Sequence, residues 1–191
     1  MKKNKKVIVF EGVDGVGKST QARLLYFSLR KRGIEVELYH FPSEGVIGKF
    51  IRGLLENKKF DSLNLKSKAL LTAADFYSQY PEDINAKVII FDRYIYSSYV
   101  SNDTLDKDWI RMLHKFVPDP DIIFFLDGEP SLIKNRKNID FGAENLKRQK
   151  IFSKRYRKVF EGIPNITIDS EKKIETIHEE ILQNINKILN L

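Results

Sequence analysis

The chain has 191 residues, 42% of them hydrophobic and 31% charged, with a formal net charge of +7 and no cysteine. Such a composition suits one folded domain over residues 1–191, with room for a central sheet and its covering helices, and it excludes disordered and collagen-like chains. The lack of cysteine excludes disulfides, thiolate metal sites, iron–sulfur clusters and cysteine nucleophiles.

In chain order, Val7–Phe10 is a short apolar run rich in β-branched residues, as expected of a strand buried on both faces. A helix is predicted over Lys18–Arg32, with Gly33 as its stop. Val36–Phe41 reads as a second strand ending at Pro42, followed by helices over Val46–Glu56 and Leu65–Asn85. Val88–Phe91 is again an apolar strand, Leu105–Phe116 a helix closed by Pro118-Asp119-Pro120, and Ile122–Leu126 a strand. Helices follow over Ser131–Lys137 and Glu144–Phe160, then a short strand at Ile166–Ile168 and a last helix over Ile174–Leu189. Strands alternating with helices predict an α/β fold with a parallel sheet, because parallel strands need crossover connections. The longest apolar runs are far shorter than the roughly 20 residues that span a bilayer. The basic start at residues 1–6 is not followed by an apolar stretch of signal-peptide length, so a cytoplasmic protein with no membrane partner is expected.

Gly12-Val13-Asp14-Gly15-Val16-Gly17-Lys18-Ser19 matches the phosphate-loop pattern G-x-x-x-x-G-K-[ST], between a predicted strand and a predicted helix. Glycines let the backbone wrap phosphate oxygens, and the helix N-terminus presents N–H groups to the anion. Residues 12–20, Thr20 included, are therefore the candidate binding segment for a nucleoside triphosphate, which leaves kinase, GTPase, motor and switch open. Lys18 is placed for the β- and γ-phosphates and the Ser19 hydroxyl for Mg²⁺. The guanine-reading N-K-x-D pattern is absent, since Asn57-Lys58-Lys59 runs into Phe60. Asp92-Arg93 ends the third strand, at the edge where ligands bind in open α/β sheets. Asp92 there can hold Mg²⁺ through water, and Arg93 offers a fork of donors to a phosphate. Between Lys134 and Lys158 lie ten basic residues and two acidic ones. That run is either a solvated helix face or a segment that closes over a polyphosphate. The three histidines share no metal-ligand spacing. Phe152, Tyr156 and Phe160 recur every fourth residue, as the buried stripe of an amphipathic helix does.

Taken together, the run from Phe10 through Gln21, Phe41-Pro42, Asp92-Arg93-Tyr94 with Ser97, and the Arg136 segment before a basic helix resemble the thymidylate kinase family, in order and separation, over nearly the whole chain. The resemblance implies the three-layer phosphate-loop fold, with five parallel strands, helices on both faces and a short lid at about 134–146. It implies ATP-dependent phosphorylation of dTMP to dTDP, with Mg²⁺, in a homodimer. By matching position, Asp14 approaches the sugar 3′-hydroxyl, Arg93 binds the acceptor phosphate, and Phe41 and Pro42 border the nucleoside. Arg52 would lie near the base. The phosphate loop carries no Arg, which passes the catalytic cation to the lid, where Lys134, Arg136 and Lys137 stand and Arg136 is the expected one.

Two positions depart from the family pattern. The helix before the Asp-Arg strand commonly carries an Arg that bonds thymine, and here Phe76 occupies its place, with Gln79 one turn on as a candidate base contact. Ser101 stands where an aromatic residue usually faces the sugar. The alternatives are thus a relaxed deoxynucleotide kinase, a deoxynucleoside kinase using Glu11 or Asp92 as base, and, outside enzymes, an ATP-switched nucleic-acid-binding protein. No recognisable nucleic-acid-binding motif supports the last of these.

Overall fold

The computed structural model describes residues 5–80, 86–132 and 143–189. Its sheet is formed by β1 (Lys6–Glu11), β2 (Val36–His40), β3 (Val88–Asp92), β4 (Ile122–Asp127) and β5 (Ile166–Asp169), in the order β2-β3-β1-β4-β5. Every pairing is parallel. The three middle strands are apolar and buried at nearly every position, as strands covered on both faces must be. The edge strands β2 and β5 are only partly buried, and their sequences Val-Glu-Leu-Tyr-His and Ile-Thr-Ile-Asp carry polar residues accordingly.

Around the sheet run α1 (Lys18–Lys31), α2 (Val46–Glu56), α3 (Leu65–Gln79), α4 (Tyr96–Ser101), α5 (Lys107–Leu113), α6 (Ala143–Phe160) and α7 (Ile174–Leu189), with a 3₁₀ turn at Phe60–Ser62. In α1, Ala22, Leu25 and Leu29 lie on one buried stripe; Gly33, at φ 73°, ends the helix where Ile34 N–H reaches back to Leu29 O at 3.1 Å. In α7 the stripe is Ile177, Ile181, Ile185 and Leu189, packed against α1.

Two predicted helices differ from those observed, and one observed helix is not predicted. The helix predicted to Asn85 ends at Gln79: Tyr80 is extended (φ −65°, ψ 124°) because it precedes Pro81, whose ring disfavours helical geometry in its neighbour. The helix predicted from Leu105 to Phe116 spans only Lys107–Leu113, opened by Asp106, whose carboxylate accepts from Trp109 N–H at 2.8 Å. Helix α4 has no counterpart among the predicted elements. It is one and a half turns of Tyr, Ser and Val, residues with no helical preference, and is held by its surroundings. Most of the predicted Ser131–Lys137 helix lies outside the described residues.

The topology places the site. β1 pairs with β3 on one side and β4 on the other, so the loop leaving β1 emerges where the strand order reverses. Phe10 and His40 both stand opposite Asp92, which brings the carboxyl ends of β1, β2 and β3 level. Residues that follow those three ends necessarily face one another.

Candidate active site

The phosphate loop follows β1 at that reversal point. Gly12, at φ 143°, allows a close approach: a Cβ there would lie 2.4 Å from the Leu126 carbonyl oxygen of β4. Gly17, left-handed at φ 106°, turns the chain into α1. Lys18 is buried and donates from Nζ to Val13 O at 2.7 Å, folding its ammonium back over the loop. Burial pushes its pKa down to about 8; Arg93 adds to the fall, while Asp14, Asp92 and Glu11 oppose it.

Ser19 donates from Oγ to Asp92 Oδ2 at 2.5 Å, so the two residues expected at a metal meet at the end of β3. One hydroxyl and one carboxylate at the mouth of a phosphate cleft are hard oxygen donors, and they suit Mg²⁺, which binds few protein groups and keeps its waters and phosphate ligands. Among the described residues no group of three or more His, Cys, Asp or Glu could hold a metal alone.

Arg93 adopts a left-handed backbone at φ 73°, a conformation disfavoured for any side chain with a Cβ. It is held by its own N–H, which donates to Phe10 O at 3.0 Å. Its guanidinium pairs with Asp14 and donates to Tyr156 Oη at 3.2 Å. Burial disfavours its charge, but Tyr156, Asp14, Glu11 and Asp92 outweigh this and raise its pKa. Desolvation in the cleft likewise opposes the charge on Asp14, yet Arg93 and Lys18 hold its pKa at about 2.

Beneath Arg93 lies Glu11, fully buried. Its carboxylate accepts from Tyr94 N–H at 2.8 Å, Ser97 N–H at 3.2 Å, Ser97 Oγ at 2.9 Å and Tyr156 Oη at 3.0 Å. Desolvation raises its pKa, opposed by Arg93 and by the Tyr94 and Ser97 donors. From α6, Gln149 clasps Asp14 twice, accepting from its backbone N–H and donating to its carboxylate, each at 3.1 Å.

Two cavities meet here. The smaller, about 240 Å³, lies between the phosphate loop and the ends of β2 and β3, with Lys18, Ser19, Thr20, His40 and Asp92 on its walls. The larger, about 300 Å³, is bordered by Phe41, Pro42, Thr72, Phe76, Ser98 and Arg148, among others. Asp14, Phe41 and Arg93 line both. A cis peptide bond joins Phe41 to Pro42. Phe41 stacks on Phe76 with ring centroids 4.7 Å apart, and Phe76 stacks in turn on Phe91 and Tyr80.

The residues expected at the site are not all brought together. Val13, Asp14, Gly15 and Gly17 through Thr20 line the two cavities with Phe41, Pro42, Phe76, Asp92 and Arg93; Gly12 and Val16 do not, since Gly12 packs against Leu126 of β4 and Val16 is buried in the core. Gln79 does not: it is the last residue of α3, one turn beyond Phe76 and past the cavity wall, where its exposed amide donates to Ser78 O at 2.9 Å beside Gly45. Arg52 also stands outside the cavity wall. It donates to Pro42 O at 2.7 Å and to Glu44 at 2.8 Å, bracing the loop after β2 rather than facing a base. Arg136, Lys134 and Lys137 lie outside the described residues.

The sequence reading gives several site residues no place around Arg93: Glu11 and Ser97 stand within the family-like runs without that role, and Arg148, Gln149 and Tyr156, all on α6, belong to no motif. Tyr156 does sit on the buried stripe predicted for its helix, but its hydroxyl serves the Arg93 network as well as the core. The arginines of the basic run on α6 are paired: Arg148 with Asp61, Arg155 with Asp103 and Arg157 with Asp127.

The thymidylate kinase family model matches residues 10–181. A probable thymidylate kinase of Thermococcus kodakarensis is 34% identical, over 95% of this chain and 98% of that one. A probable thymidylate kinase of Methanosphaera stadtmanae is 35% identical (96% and 99%), and a thymidylate kinase of Plasmodium falciparum is 32% identical (98% and 92%). The matched span runs from the strand before the phosphate loop into α7 and takes in both cavities, so the chain belongs to the thymidylate kinase family.

Proposed function

We infer that the protein transfers the γ-phosphoryl group of ATP to the 5′-phosphate of dTMP, giving dTDP and ADP. The observation that carries this reading is the meeting of the two cavities at Asp14, Phe41 and Arg93. A donor polyphosphate on the loop and a nucleotide in the adjoining cavity would present their phosphates to each other there.

In this reading the loop N–H groups and Lys18 hold the donor phosphates, and Arg93 holds the acceptor phosphate against them. Two anions are brought into line, which is the main demand of phosphoryl transfer. Ser19 and Asp92 would hold Mg²⁺, which when bound offsets charge on the phosphate oxygens. Asp14, kept ionised, is placed to accept a hydrogen bond from the sugar 3′-hydroxyl. Phe41 and Phe76 offer apolar faces to the base. Arg136, outside the described residues, is assigned on the family resemblance the cation that meets the migrating group. Arg136→Ala should then lower kcat by at least ~10³-fold with KM for dTMP little changed, and single-turnover kinetics would check it. Replacing Arg52 or Gln79 by Ala should leave KM for dTMP within about threefold of the parent, as neither lines the cavity.

A deoxynucleoside kinase needs a free carboxylate base. Glu11 is enclosed by four donors and Asp92 is engaged by Ser19, which disfavours that alternative. A relaxed deoxynucleotide kinase keeps support from one observation: Phe76, in place of an Arg, cannot read a base edge. Nucleic-acid binding loses support because the α6 arginines are paired.

The chain is read as a single cytoplasmic kinase domain acting as a homodimer. Phe50, Leu70, Met112 and Phe116, on and beside α2, α3 and α5, are exposed apolar side chains open to a second copy. Among the described residues no helix is long and apolar enough to cross a membrane. The deciding experiment is ADP release with ATP and Mg²⁺ over dTMP, dUMP, dCMP, dGMP and thymidine. Turnover led by dTMP is expected; turnover of thymidine alone, or of none, overturns the reading.

A further inference from the structure

The α3 wall of the acceptor cavity carries no arginine at Phe76, yet it carries a cation two turns earlier. The α3 residues that line the cavity are Leu65, Lys68, Thr72, Asp75 and Phe76. Lys68, Thr72 and Phe76 follow at four-residue intervals and so share one face of the helix. Phe76 stacks on Phe41, which also lines the donor cavity, so Phe76 stands near the junction where Arg93 meets a phosphate. Lys68 lies about 12 Å back along the helix. There Leu55, Phe60 and Leu65 join it in bordering the acceptor cavity, and the donor cavity touches none of them. A nucleotide with its phosphate on Arg93 directs its base toward that end.

Lys68 is the one α3 residue on this wall with donors to give. Thr72 Oγ1 is turned to the Lys68 and Ala69 carbonyls, at 3.1 and 3.0 Å, and the Asp75 carboxylate is taken by Ser43 N–H and Oγ. The Lys68 side chain is only 17% exposed. Its ammonium reaches Asp61 O at 3.4 Å and Asp61 Oδ1 at 3.7 Å, and lies 5.5 Å from the centre of the Phe60 ring. A charge-assisted hydrogen bond normally closes to about 2.8 Å, so the three N–H donors of this shielded ammonium are poorly used. Arg148 is placed differently. It reaches the other carboxylate oxygen of Asp61 at 3.3 Å, lies over the Phe152 ring at 5.3 Å and is 47% exposed.

We propose that Lys68 donates to the 4-keto oxygen of a thymine or uracil ring in the acceptor cavity and disfavours cytosine, whose 4-amino group is itself a donor. The proposal rests on the nucleotide-kinase reading above. An ammonium donates and cannot accept, so cytosine sets donor against donor where water is excluded. The flexible four-carbon stem lets the ammonium move from its long contacts with Asp61 to the ring. Base selection in this chain thereby comes from the same helix as Phe76, through a lysine two turns away.

The test is the ratio of kcat/KM for dTMP to that for dCMP. Lys68→Met keeps the apolar stem and should lower the ratio by about tenfold or more, through a higher KM for dTMP with kcat little changed. Lys68→Arg, which keeps a donor, should retain most of it. The 4-thio analogue of dTMP locates the contact, because sulfur accepts a hydrogen bond poorly. The parent should prefer dTMP to that analogue by about tenfold, and Lys68→Met should lose the preference. A preference that survives in Lys68→Met, or an unchanged dTMP-to-dCMP ratio in a variant with an intact melting curve, would overturn the proposal. Should Lys68→Met fail to fold, a parent that does not distinguish the 4-thio analogue overturns it without any variant, and loss of the preference in Arg148→Ala with retention in Lys68→Gln transfers the contact to Arg148. A parent that turns over no monophosphate would overturn the kinase reading and this one together; an active parent with no preference for dTMP over dCMP overturns this one alone.

Discussion

Lys18→Met is expected to lose phosphoryl transfer by at least ~10³-fold and yet melt no lower than the parent. The ammonium is enclosed in the phosphate loop, where the Val13 carbonyl receives it directly and burial and Arg93 outweigh the pull of Asp14, Asp92 and Glu11. A depression from 10.5 to about 8 corresponds to a destabilisation on the order of 3 kcal/mol for the charged form. Met keeps the apolar stem and removes that charge. The protein holds Lys18 in this state because a triphosphate would supply the missing counter-charge. The sign with pH follows. Between about pH 8 and 10.5 the unfolded chain keeps a proton that the folded chain has released, so this residue makes the fold relatively more stable as pH rises. Lys18→Met should lose that slope. In the parent, kcat/KM for ATP should fall above about pH 8 as the free enzyme's ammonium deprotonates. Calorimetric melts and a pH–rate profile would check both; a variant melting well below the parent would contradict the account.

Arg93→Ala is expected to lower kcat/KM for dTMP by about 10³-fold, with KM for ATP little affected. The guanidinium stands at the junction of the two cavities, fixed by Asp14 and Tyr156 and by a strained backbone that β1 holds in place. Lys should not rescue it, since a point charge lacks the planar fork that spans a carboxylate and a phosphate. Tyr156→Phe offers a graded control. It removes the hydroxyl between Arg93 and Glu11, leaves the ring in its stripe, and should cost about tenfold in kcat/KM for dTMP. Steady-state kinetics with each substrate varied separately would measure all three. An Arg93→Ala enzyme within threefold of the parent would remove Arg93 from the acceptor site.

The local elements and the donor side of the site were legible in the sequence because their determinants are local. Apolar runs marked the strands, the stripe Phe152, Tyr156 and Phe160 marked α6, and the phosphate loop's glycines and lysine sit close together in sequence, where they set the backbone geometry themselves. Asp92 and Arg93 could be picked out for the same reason, as the polar end of an apolar strand. Legibility failed where a residue's role depends on what it meets. Gln79 looked equivalent to Phe76 by helical spacing, but α3 ends at Gln79, past the cavity wall, and only packing against Phe41 and Phe91 distinguishes the ring from the amide. Arg52 has a base-binding residue's charge, yet the Pro42 carbonyl takes it. Glu11 is an ordinary strand-end acid until Tyr94, Ser97 and Tyr156 arrive from two other elements to enclose it.

The sequence by itself determined the α/β class, the order of the elements and the phosphate loop, because each is written in neighbouring residues through backbone sterics and hydrophobic period. Beyond Phe41, Pro42, Phe76 and Arg93, the tertiary structure alone decided the acceptor side. Its walls come from β2, α3, α4, the segment after α5, and α6, and which of their side chains share a cavity depends on the strand order β2-β3-β1-β4-β5, a long-range pairing that no local pattern encodes.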